Sequence, residues 1–186
     1  MNSRGWWVVL VVLSVVACSG EAPSEESEPV AAAVNESAAE AEPTVDEMVA
    51  AMDEGCAEAA EAIAARQAES TLYERLGGRE AIHGVITETV RLHRENETIV
   101  HLMEGVDDAD LIEKVTDFIA QASGGDEAYE GRDMVEAHEH LGLTNEHFLA
   151  AGSDVQTALQ TARVGEDEIQ EVMCMFASLR SEVVQL

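Results

Sequence analysis

Histidine and cysteine are the residues of this 186-residue chain whose chemistry could reach beyond packing and solubility: six imidazoles able to hold metal or move protons, and three thiols. His138 and His140 are two positions apart, a spacing that sends side chains to different sides of a helix, so they do not read as a zinc pair. His83, His93, His101 and His147 stand singly, with solvent-facing or capping positions as their default. Composition alone leaves His138 a surface or satisfied core residue.

The thiols divide by context. Cys18 follows an apolar run from Trp6 to Val16, too short to span a bilayer but suited to a secretory signal. The segment Val15-Val16-Ala17-Cys18 resembles a lipobox, in which small residues admit the peptidase and the cysteine thiol is joined to diacylglycerol. Residues 1–17 are then a lipoprotein signal peptide, Cys18 the lipidated N-terminus, and the bilayer a partner at the cell envelope, facing the periplasm or exterior. Cys56 and Cys174 remain in an oxidising compartment, either bridged or as two small buried apolar residues.

Residues 18–43 contain all three prolines, no aromatic and no basic residue. Such a stretch cannot bury enough apolar area to offset ordering entropy, and reads as an acidic tether able to hold a domain about 30 Å from the membrane. The formal charge of −28 argues against nucleic acid as a partner.

The elements that must position His138 are helices, because the apolar residues recur with helical spacing and never alternate as in strands. Thr44-Val-Asp-Glu47 has the form of a capping box and opens an extra N-terminal helix over 44–69. A second segment starts at Ser70 or Thr71 and stops at Gly77-Gly78. Further amphipathic stretches cover 79–95, 108–122, 145–162 and 166–184, with a short helical piece over 134–141. The last two long stretches form an antiparallel pair, and residues 70–186 make one all-α domain.

The landmarks Leu72-Tyr-Glu-Arg-Leu-Gly-Gly78, Gly124-Gly125, Tyr129-Glu-Gly-Arg132-Asp-Met134, Glu136-Ala-His138, Gly142-Leu-Thr144 and His147-Phe148, in that order, resemble the truncated haemoglobins, group I-like. The resemblance implies a globin-like two-over-two helical sandwich around haem b, with His138 as the proximal iron ligand. Met134 and Phe148 match haem-contacting positions, Phe118 joins them as a cofactor-binding residue, and Tyr129 and Arg132 lie where propionates are met or serve as loop anchors. His93 or His101 as a sixth ligand is a further possibility, away from the family's usual distal position.

One departure from the family bears on function. Where a tyrosine usually overhangs the distal face the chain has Val90, and the neighbouring distal positions are Met103, Leu111 and Val115. A pocket without a donor disfavours tight oxygen storage and shifts preference toward carbon monoxide and nitric oxide. The implied function is reversible binding of a diatomic gas, O2, NO or CO. Nitric oxide dioxygenation, with a reductase partner still to be named, and a haem-free helical interaction lipoprotein are the alternatives.

Overall fold

The computed structural model describes residues 42–184, which are helical and carry no strand. The signal segment, Cys18 and nearly all of the tether lie outside the described residues. The elements are α1 (Val45–Glu69), α2 (Leu72–Leu76), α3 (Gly78–Glu95), a 3-10 turn (Val100–Met103), α4 (Asp108–Ala122), α5 (Met134–His138), α6 (Asn145–Thr161), α7 (Glu166–Ser178) and α8 (Arg180–Val183).

Local chemistry sets most of these starts. Thr44 and Thr71 close capping boxes with Glu47 and Glu74, Thr144 does so with His147, and Asp107 and Asp133 cap α4 and α5. Gly77 sits in the left-handed region at φ +94°, which lets α2 stop and α3 begin one residue later. Gly124, at φ +97°, is also pressed against Thr71, where an added Cβ would lie 3.1 Å from that side chain.

α3 is the central element, packed against both α4 and α6. Its two sides feed two apolar clusters. Val85 joins Leu72, Ala158, Leu159, Ile169 and Val172, while Ile82, Ile86 and Val90 join Met103 and Ala120.

α1 lies along α6 and α7 and buries only Val49 and Ala59 among its 25 residues. Polar and covalent links hold it instead. Cys56 and Cys174 are joined in a disulfide with Cα atoms 5.4 Å apart, so the bridged reading holds. Across a sequence separation of 118 the chain-entropy contribution is roughly 5 kcal/mol. Gln67 donates to Glu171 at 2.6 Å, Arg66 pairs with Asp167 at 3.3 Å, and Arg180 pairs with Asp53 at 3.2 Å.

Three details differ from the sequence reading. The stretch 166–184 is not one helix: Leu179 donates its N–H to the Phe176 carbonyl at 3.1 Å, a tight turn that ends α7 and redirects α8 onto α5. The short piece stops at His138 rather than running to 141. The 3-10 turn was not foreseen, because long-range polar bonds shape it. Arg94 donates to the Met103 carbonyl at 2.7 Å and the Val106 carbonyl at 2.9 Å, and pairs with Asp108.

Glu171 is 3% exposed and accepts from Arg75 at 2.6 Å as well as from Gln67. Glu171→Ala leaves Arg75 with Glu168 and the Ser70 carbonyl and strands the Gln67 amide, so unfolding free energy should fall by about 3 kcal/mol in urea titration. A loss below about 1 kcal/mol would show the network to be dispensable.

Candidate functional site

A cavity of about 940 Å³ opens between α3, α4, α5, α6 and the α7–α8 corner. It lies at the upper end of the roughly 300 to 1,000 Å³ range of cofactor and ligand sites, and its walls are mainly apolar. His138 lines it from the last residue of α5 and is half-buried.

The imidazole is oriented by its own helix. Nδ1 lies 2.7 Å from the Met134 carbonyl oxygen. A carbonyl can only accept, so Nδ1 carries the proton and Nε2 is the lone-pair nitrogen of the neutral ring. Asp133 fixes the start of this single turn by accepting the Glu136 amide at 2.7 Å. Five residues thus suffice to aim one ring, with α8 packed against them.

Phe148, 5% exposed, lines the cavity from α6 and stacks on Phe176 of α7 with ring centroids 4.3 Å apart. Val90 enters from α3 and Met103 from the 3-10 turn, and Leu111, Val115 and Phe118 recur with helical spacing along α4. Tyr129, Arg132 and Met134 line the cavity from the segment before and into α5. All ten cofactor-binding candidates from the sequence therefore come together around one space.

Hydroxyl groups near that space are committed elsewhere. Thr89, beside Val90, donates to the Val85 carbonyl at 3.0 Å, and Thr116 donates to the Ile112 carbonyl at 2.7 Å. Tyr129 donates to the Arg132 carbonyl at 2.7 Å and meets Phe118 edge-on at 5.3 Å, which makes it a loop anchor. Tyr73, the other tyrosine, donates to Glu127 at 2.6 Å, a bond that pushes its phenol above the ordinary range.

Cations gather at the edge. Arg132 is exposed and makes no ion pair among the described residues, and Lys114, the one lysine of the sequence, pairs with Asp110 at 2.5 Å. The sequence reading missed Lys114 although it lies three residues after Leu111 and four before Phe118, on the same α4 stripe. His93 also lines the cavity, with Nδ1 held 2.8 Å from Asp154. His101 lies exposed on the 3-10 turn, edge-on to the His147 ring at 5.4 Å. Cys56 and Cys174 do not belong to this cavity.

The His138 imidazole with its fixed tautomer, a mainly apolar space and cations at its edge suit a flat apolar ring that carries a metal and peripheral carboxylates; His93, His140 and His147 line the same space. The comparisons bear on this directly, since a model of the bacterial-like globin family matches residues 71–185. The chain belongs to the bacterial-like globins.

The group 1 truncated hemoglobin GlbN of Synechocystis is 37% identical over 107 residues, spanning 55% of this chain and 86% of that protein. The truncated hemoglobin of Tetrahymena pyriformis in its Fe(III) form superposes with a TM-score of 0.61 at 26% identity, over 63% of this chain and all of that one. The 2/2 hemoglobin of Synechococcus, solved in a cyanomet state with covalently attached heme, gives a TM-score of 0.57 at 30% identity, over 61% and 95% of the two chains. α1 lies outside the residues that the family model matches.

In this globin Tyr129 fastens the segment leading into the His138 turn. Tyr129→Phe should cost about 1 kcal/mol and quicken amide exchange across 129–134. Unchanged exchange there would remove Tyr129 from the support of α5.

Proposed function

We propose that the protein binds haem b in the His138 cavity and uses it for reversible uptake of a diatomic gas at the cell envelope, where acylated Cys18 tethers it. The observation that carries the reading is the oriented imidazole, with Nδ1 bonded to the Met134 carbonyl, on the wall of a 940 Å³ apolar cavity. When bound, haem supplies an iron with a coordination position for gas. Nε2 of His138 would hold the iron, and Phe148, Met134 and Phe118 would pack against the macrocycle. Arg132 and Lys114 answer the propionates. The lipobox-like Val15-Val16-Ala17-Cys18 supports the membrane tether.

Purified from cells supplied with haem, the full chain should show a Soret band that shifts on reduction and again with carbon monoxide. His138→Ala should abolish the proximal signature while circular dichroism stays helical. A preparation that remains colourless through gel filtration overturns haem binding and leaves an acidic helical scaffold.

Gas preference follows from the committed hydroxyls, together with His93 and Lys114, whose nitrogens are held by Asp154 and Asp110. A hydrogen bond to a ligand carrying partial negative charge is worth roughly 1.5 to 3 kcal/mol, so a cavity without that donor releases dioxygen on the order of 10 to 100 times faster. Carbon monoxide and nitric oxide depend less on it and are favoured here. Val90 is 5% exposed and faces this cavity, so Val90→Tyr should slow dioxygen release by about that factor in stopped flow. Slow release from the unaltered protein would contradict the donor-free reading.

A further inference from the structure

Among the described residues, the disulfide joins the helix that lies outside the matched family residues to a helix that carries part of the cavity wall. Cys56 is on α1 and Cys174 on α7, two residues before Phe176. Both half-buried cysteines line an open cleft of about 940 Å³ between α1, α6 and α7.

Two residues, Val164 and Phe176, line both this cleft and the His138 cavity. Phe176 is tightly placed. Its ring stacks on Phe148 at 4.3 Å, and a Cβ added at Gly152 of α6 would come within 3.0 Å of it. Met173 stands beside it at the same glycine.

Without the covalent link α1 keeps its strongest hold at its C-terminal end, where Gln67 donates to the buried Glu171. Around Cys56 the grip is weak: along α1 only Val49 and Ala59 are buried, and Arg180–Asp53, like Arg66–Asp167, is a pair with an exposed acid, of the kind that contributes little alone. A helix held this way is drawn from the low-stability end of a fold once its cross-link opens.

We propose that Cys56–Cys174 is a redox latch: oxidised, it clamps α1 on the α6–α7 seam and fixes the Phe176–Phe148 wall; reduced, it frees α1 and loosens that wall. The step is thiol–disulfide exchange with a dithiol. One thiolate attacks a sulfur of the bridge, forms a mixed disulfide with that cysteine and releases the other cysteine as a thiolate; the second thiolate then attacks the reagent's own sulfur and releases the first cysteine. Two electrons and two protons pass to Cys56 and Cys174, which end as thiols, and the dithiol leaves as its own disulfide. The coupling to gas binding rests on the function proposed above; the release of α1 does not.

The test uses the full chain in the ferrous carbon monoxide form, so that the dithiol does not change the iron, with and without dithiothreitol and again after reoxidation. Amide exchange is followed over 45–69, 148–152 and 173–177, and carbon monoxide rebinding after photolysis is timed on the same samples. Reduction should speed exchange at least about tenfold in all three segments and change rebinding at least about threefold, reversibly. Cys174→Ser should behave like the reduced protein without any reductant. Faster exchange in α1 alone, with the wall segments and rebinding unchanged, overturns the coupling; no change in α1 overturns the latch. If no Soret band forms, gas binding has failed, and exchange across the three segments still decides the latch.

Discussion

The constraint on which this structure depends is that its helices close around a cavity and not around a filled core. Among the described side chains only Leu159 and Thr116 are large and fully buried, whereas the cavity occupies about 940 Å³ between the two apolar clusters. Apolar side chains around such a space forgo contacts that a filled core would give them, and a well-fitting apolar occupant restores those contacts. A large flat apolar ligand then acts as part of the core, and the fold and the ligand site are one physical object.

Much of this could be read from residue types and spacing, because the determinants are local. The T-x-x-E boxes at Thr44 and Thr71 gave helix starts, and the i, i+4, i+7 recurrence of Leu111, Val115 and Phe118 gave the cavity face of α4. His138 needed more than that. Nothing local distinguishes it from His140, and only the order of surrounding landmarks singled it out. What escaped was set by distant partners. Arg94 shapes the 3-10 turn through carbonyls nine and twelve residues away. The break at Leu179 serves the contact of α8 with α5, which no periodicity encodes. The bridge between Cys56 and Cys174 stayed open for the same reason, since Cα separation is a property of the packed helices.

The protein assigns different forces to its two tasks. Apolar contacts among α2, α3, α4, α6 and α7 build the globin body. Attachment of α1 runs through a disulfide and through the cluster in which Glu171 gathers Arg75 and Gln67. With 38 acidic and 10 basic side chains, every arginine turned inward to such a cluster is withdrawn from the surface, which leaves that surface strongly anionic. Arg132 at the cavity edge is exposed and, like Arg163 beyond the end of α6, makes no ion pair among the described residues, so its charge stays available to an anionic group at that edge.

Polarity inside the cavity follows from the same economy of partners. A buried hydroxyl must be satisfied, and a threonine in a helix can satisfy itself on the carbonyl four residues back. Thr89 and Thr116 both take that route, so two side chains that sit beside the cavity lining contribute no donor to it. Tyr129 satisfies its hydroxyl on the loop that it anchors. Val90 adds no donor from α3, so the hydroxyls near the apolar lining offer none to it, and the side-chain N–H groups that line the space belong to His93, Lys114, Arg132, His138, His140 and His147. A further hydroxyl donor from α3 or α4 therefore has to come from a side chain that does not fold back onto its own helix, as both threonines do.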